Sequence, residues 1–520
     1  MVGVDYTILI VTLATILFLG LAGKRNHDTL EDFFLGSRNL NWLKVGASLF
    51  ATNFSASALV GITGAAYLTG IAIYNYEWIG ILALIFMAIV LYKMLLGSGV
   101  FTISEYLNKR YDHRVMIFYS IFMIFMIIFI DLAGALYVGG LILSALIPSL
   151  SVSNIILLAV IFSGIYVMVG GLAAISRTDS LQFLIIIAGS VTLAYFSFAS
   201  IQLIDDFQAG LPPESFSLIR SLDDRAVPWP GLITGIPILC AYFWFANQNM
   251  LQWGLSAKSL RDAQFGLIFT GFLKLSVFFI LVIPGVFAAV LFPGIDEPDR
   301  VYLILLTELL PVGALGLAMT GLVAALLSNT DSSLHAATTI FTLDLVRRRQ
   351  PNLDEKQLIF ISRAFTLVIM IISAFWAREI DKFDTLFEYV QSTLSYSITP
   401  LVTVYVGGIF YKRFTSNAAF YSLLIGISGS LSLVILKNYI PLFDFHYLYV
   451  PLPICLLCLI SMFVITYFDT SYSERDDKLD KNLTWSVKEH SVLEILKDRQ
   501  LFISSALLLV CTFLFVIYFA

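Results

Sequence analysis

Charge is scarce in this chain: only 13% of its residues are Asp, Glu, Lys or Arg, whereas 59% are hydrophobic. A mean hydropathy of +0.88 exceeds what a water-soluble domain carries without aggregating, so the bilayer must be the solvent. The basic residues lie in short clusters rather than in a stripe interleaved with aromatics, which argues against nucleic acid as a partner. Histidine and cysteine are also rare, at five and four residues. Cys240, Cys455, Cys458 and Cys511 all fall in apolar runs. Cys455 and Cys458 share the run PLPICLLCLISMF with no histidine or further cysteine nearby, so small buried side chains are expected rather than a zinc or redox pair, and no disulfide is assigned. Long polar stretches are missing too. The largest are residues 202–229 and 469–499, so no domain is available for catalysis in water, and no nucleophile or metal motif accompanies the buried charges. Neither an enzyme nor an organic cofactor is expected.

What is present is a succession of apolar runs. A helix needs roughly 20 apolar residues to cross the hydrocarbon core, and about fourteen such spans can be drawn, giving an all-α polytopic membrane protein. They include residues 42–66, 152–172, 179–201, 231–254, 312–345 and 386–410. Lys and Arg separate cleanly between alternate loops, about 23 on one side against about 6 on the other, and basic loops stay cytoplasmic. That places both termini outside in a multi-pass plasma (inner) membrane protein and requires an even number of spans. The first run lacks a basic region before it and has Lys24 and Arg25 after it, so it reads as an anchor rather than a cleaved signal. Asn482 opens an Asn-Leu-Thr sequon, discounted because this topology puts it in the cytoplasm.

Ionisable groups inside spans are costly, about 2.5–3.5 kcal/mol each at a helix centre, and are functional candidates by default. Glu77, Asp131, Asp179, Lys274 and Asp331 are such groups. For Asp131 a structural role and a functional one weigh about equally. The second run, SLFATNFSASALVGITGAA, is dense in small polar residues where a lipid-facing helix would show Leu and Phe. Such a segment can unwind and present backbone carbonyls, the hard oxygens a dehydrated cation needs. The seventh run is interrupted by Asn247, Gln248 and Asn249. Two interrupted helices five spans apart fit a 5+5 inverted repeat whose opening helices are broken. In the ninth run Ser328, Asp331 and Ser332 stand at i, i+3 and i+4, one helix face.

The segments GASLFATNFSASALVG, GIAIYNYEWIG, FTISEYLNKRY, GGLAAISRTDSLQ, LCAYFWFANQNMLQWGLSAK, ALLSNTDSSLHAATTIFTLDL and LFEYVQSTLSY resemble the sodium/solute symporters, most of all the sodium–glucose cotransporter branch. The resemblance implies a ten-helix core of two repeats, residues 42–201 and 231–413. Around it stand an N-terminal helix and loop (1–41), an extracellular loop (202–230) and flanking helices (414–520) that include the cytoplasmic segment 469–499. It implies a sodium site made by carbonyls of Ala51, Phe54 and Ala325 and the hydroxyl of Ser328, with Asn329 where the family has a hydroxyl. It implies solute contacts at Asn53, Glu77, Lys274 and Gln391, a stacking ring at Trp244, and Phe243 in place of an inner-gate tyrosine. Ala58 and Leu394 replace usual polar sugar contacts. A second ion site would involve Asp179, Asp331 and Ser332. The expected activity is sodium-coupled import of a hexose- or inositol-like solute by alternating access. Symport of an amino acid, carboxylate or sialic acid, or a non-transporting membrane sensor, stand as alternatives.

Overall fold

The computed structural model describes residues 1–22, 29–146, 152–204, 210–224, 226–382, 385–440, 445–469, 483–485 and 498–520. The sequon residue Asn482, most of segment 469–499 and part of the 202–230 loop lie outside the described residues. Among the described residues the regular structure is helical. Among these described residues ten helices are long and apolar enough to cross a bilayer, or eleven if one bent pair counts as a span.

The helices that position the site are α1 (Gly3–Ala22), α2 (Trp42–Asn53), α3 (Ala56–Thr69), α4 (Asn75–Phe86), α5 (His113–Met126) and α6 (Val152–Ile201), followed by α7 (Ile236–Ala241), α8 (Gln248–Leu255), α9 (Leu260–Val277), α10 (Ala314–Thr339), α11 (Leu386–Ser397) and α12 (Thr399–Phe410). The second run is broken as its composition suggests. Phe54 leaves helical geometry at φ −83° and ψ 54°, and Ser55 caps the restart by accepting from the Ala58 N–H at 3.1 Å. A hydroxyl one residue past a break satisfies an orphan amide, so α3 starts at little cost. The seventh run breaks at Asn247 (φ −102°, ψ 117°), whose Oδ1 accepts from the Asn249 N–H at 2.9 Å and caps α8.

Two features differ from the sequence expectation. Residues 172–179 do not form a loop, because helix runs on through them to Ile201. The change of direction is at Gly171, whose φ of 55° suits glycine, and a Cβ there would meet the Phe33 carbonyl oxygen at 2.6 Å. Arg177 is therefore a helical residue. The 386–410 run is bent by 53° between α11 and α12, at the point where Pro400 cannot donate into the preceding turn.

Helix α10 is buried along nearly its whole length and forms the centre of the molecule. Small residues let its neighbours approach: a Cβ on Gly189 of α6 would lie 2.9 Å from the Ala318 Cα. Asp5 of α1 reaches across to α10, its Oδ1 accepting from the N–H groups of Gly313 at 2.7 Å and Gly316 at 3.0 Å. A carboxylate at a helix N-terminus also complements the helix dipole. At the end of α12, buried Arg110 donates to four carbonyls: Gly408 (2.8 Å), Phe414 (3.2 Å), Tyr411 (3.0 Å) and Lys412 (3.1 Å). Orphan carbonyls of a helix C-terminus are thus satisfied by one fixed cation.

Candidate functional site

The break between α2 and α3 opens onto a cavity of about 150 Å³. Its wall contains all six side chains expected to meet a solute: Asn53, Glu77, Phe243, Trp244, Lys274 and Gln391. They come from five places in the chain. Asn53 is the last residue of α2, Glu77 lies in the first turn of α4, and Lys274 lies near the end of α9. Gln391 is on α11, and Phe243 and Trp244 lie on a π-helical turn, Tyr242–Ala246.

Lys274 organises the wall. Its Nζ is 2.5 Å from Glu77 Oε2, donates to Asn53 Oδ1 at 2.8 Å, and stands 5.2 Å from the centre of the Trp244 ring. A buried ammonium needs partners for its charge and its protons, and a carboxylate, an amide and a π face supply them. Gly80 lies against this group, since a Cβ there would fall 3.1 Å from Trp244 Nε1 and 3.4 Å from Lys274 Cε. Gln391 Oε1 has no hydrogen-bond partner among the described residues, and an amide oxygen held at a cavity wall in that state is ready to accept from a ligand hydroxyl. Tyr76 and Phe387 also line the cavity and meet edge to face at 5.3 Å. The Tyr76 hydroxyl pairs with that of Tyr447 at 3.1 Å.

Beside the cavity, α10 is tied to the broken helix. Asn329 Nδ2 donates to the Thr52 carbonyl at 3.1 Å, and Ser332 Oγ and Thr52 Oγ1 are 3.0 Å apart. Thr52 Oγ1 also accepts from Trp253 Nε1 at 3.1 Å. Of the expected sodium ligands, Ala51 and Phe54 stand at the end of α2, and Ala325, Ser328 and Asn329 are buried on α10. The Ser328 hydroxyl donates to Asp179 Oδ1 at 2.7 Å. The suggested second-site trio is therefore divided: Asp179 is joined to Ser328, Ser332 is joined to Thr52, and Asp331 takes part in neither bond. Asp179 Oδ2 is buried without a hydrogen-bond partner among the described residues, a position that calls for a cation or a proton.

Two cavity residues were underweighted by sequence reasoning. Asp131 lies on the π-helical turn Ile127–Leu132 and lines the cavity; its one signal was a lone charge in IIFIDLAG. Asn247 lines it too, having been read as a helix breaker alone. π-turns concentrate at functional sites, but nothing in a single sequence marks one.

Comparison with known proteins bears on this geometry. Residues 33–426 match the model of the sodium:solute symporter family. The chain belongs to that family. Among curated members, the sodium/myo-inositol cotransporter 2 of Oryctolagus cuniculus is 30% identical over 543 residues, covering 94% of this chain and 80% of the relative. The sodium/glucose cotransporter 4 of Homo sapiens is 29% identical over 547 residues, covering 95% and 80%. A solved structure of a Na⁺-coupled sialic acid symporter, in a substrate-bound outward-open state, superposes with a TM-score of 0.78 at 20% identity, covering 90% of this chain and 98% of its own. This last likeness establishes the sodium:solute symporter fold.

Proposed function

We propose that this symporter imports a small polyhydroxylated solute of the hexose or inositol type, driven by sodium and working by alternating access. The observation that carries the reading is the Asn53–Lys274–Glu77 group over Trp244, facing a cavity whose opposite chemistry is the open Gln391 amide. Each hydroxyl of a dehydrated polyol needs a donor or acceptor, and carboxylate, ammonium and amides supply both around one aromatic face. The names of the inositol and glucose cotransporters among its relatives support the same solute class.

Sodium is assigned to the gap between the end of α2 and the face of α10, with carbonyls of Ala51, Phe54 and Ala325, the Ser328 hydroxyl and the Asn329 amide oxygen as ligands. A second coupling ion is assigned near Asp179, for which its unpaired buried oxygen speaks; Asp331 and Ser332 are its suggested neighbours. Ion binding on the outside would draw α2 and α10 together and complete the solute wall.

Fourteen spans in a 5+5 arrangement, with both termini outside, complete the proposal. Its support is that Gly70 (φ 69°) and Gly171 (φ 55°) each divide a long apolar stretch into two. The α7–α8 segment forms a further interrupted span, matching the interrupted α2–α3 at the head of the other half. The test is uptake of labelled sugars and cyclitols into proteoliposomes with and without an inward sodium gradient. Gradient-dependent accumulation of at least one is expected, and equal uptake in both conditions would overturn the coupling.

A further inference from the structure

Among the described residues lining the central cavity, the charged ones are Glu77, Asp131 and Lys274. Glu77 and Lys274 neutralise each other at 2.5 Å, and the ammonium is further engaged by Asn53 at 2.8 Å and by the Trp244 ring. Asp131 is left as one negative charge in excess. The group facing it is the side chain of Asn247, whose Oδ1 is occupied by the Asn249 N–H at 2.9 Å, so the amide nitrogen is the end that remains for the carboxylate. The Tyr119 hydroxyl donates to the Ala246 carbonyl. Asp131 Oδ2 has no hydrogen-bond partner among the described residues. A carboxylate oxygen enclosed without a donor is costly, and it stands at a wall where a ligand arrives.

We propose that Asp131 is a solute contact that determines specificity: met among the described residues by one amide and by no basic side chain, its carboxylate selects solutes that bring hydroxyl or protonated amine donors and rejects those that bring a carboxylate. The inference rests on the polyol reading above and narrows it. Amino-substituted polyols are accepted at least as well as neutral ones, and uronic acids are turned away. The same excess charge explains how a chamber containing a lysine can disfavour anions: that lysine's charge is already balanced.

The test is competition against sodium-driven uptake of a labelled neutral polyol by the full-length chain in proteoliposomes. Glucosamine and glucuronate are the competitors, near pH 6.5, where the amine is protonated and the acid ionised. In the wild-type protein the half-inhibiting concentration of glucuronate should exceed that of glucosamine by roughly ten- to hundredfold, the range of a hydrogen bond to a charged group. Asp131→Asn, which keeps the shape, should bring the two within about threefold while the sodium half-saturation stays put. Equal competition by both in the wild type overturns the assignment without need of any variant, as does a ratio that survives Asp131→Asn. Failure of every neutral polyol to enter under a sodium gradient overturns the polyol reading and this inference with it. Polyol entry without charge discrimination overturns the role of Asp131 alone.

Discussion

Replacing Lys274 with Met keeps the buried stem and removes the ammonium, leaving the Glu77 carboxylate, 13% exposed, without a cation and Asn53 Oδ1 without its donor. Stranding one partner of a buried ion pair costs about 3–5 kcal/mol, whereas removing both is often close to neutral. Lys274→Met and Glu77→Gln should therefore each lower the unfolding midpoint of the purified protein substantially, and the double variant should return to within about 1 kcal/mol of wild type. Solute affinity should behave differently. Each single variant loses a charge-assisted hydrogen bond of about 1.5–3 kcal/mol to the solute, roughly ten- to hundredfold in apparent affinity, and the double variant regains none of it. Thermal unfolding and initial uptake rates against solute concentration, measured on the same preparations, separate the two effects. A double variant less stable than either single would refute the pairing argument. A double variant that recovers solute affinity along with stability would show that the pair serves the fold and not the solute.

Burial lifts the Asp299 carboxyl from its ordinary 3.8 to about 6, against the opposing Leu386 N–H that it accepts at 3.0 Å. Because the folded value is the higher one, its stabilising contribution is full below about 3.8 and is lost as pH rises through about 6, a span worth roughly 3 kcal/mol. Asp299→Asn keeps an acceptor for Leu386 and should raise the unfolding midpoint at pH 7.5 but not at pH 4; equal shifts at both would contradict this. Arg110→Lys replaces a fork that reaches four carbonyls by a point charge and should cost about 2–3 kcal/mol, read as a lower midpoint with solute affinity unchanged. Ser328→Ala should move the sodium half-saturation point more than solute selectivity, and an unshifted sodium titration of uptake would count against the ion site. Gln391→Leu should weaken solute affinity about tenfold at constant sodium dependence; unaltered solute titrations would remove Gln391 from the wall.

The helix interruptions near Phe54 and at Asn247 were readable because their cause is local: Ser55 and Asn247 cap the segments that follow. The bend before α12 had a local cause as well, Pro400 behind Ser397 and Thr399, yet apolar residues continue on both sides of it and the stretch reads as one run. The continuous helix across residues 172–179 was hidden by Arg177, a basic residue that reads as a short cytoplasmic loop between two spans although a long helix accommodates it. Cross-chain pairs such as Asn329 with Thr52 and Ser328 with Asp179 have no local signature, because they join residues 277 and 149 positions apart. Asp131 could be noticed in the sequence but not interpreted, since its meaning comes from the Glu77–Lys274 pair, which leaves it unbalanced.

Thr52 and Asn53 are consecutive residues, yet one is bonded to α10 through Asn329 and Ser332 while the other holds Lys274 in the cavity wall. Any event that shifts the end of α2 therefore acts on both neighbourhoods through a single peptide unit. Thermodynamic reciprocity then fixes a relation between two independent titrations: whatever factor sodium contributes to solute affinity, solute must contribute to sodium affinity.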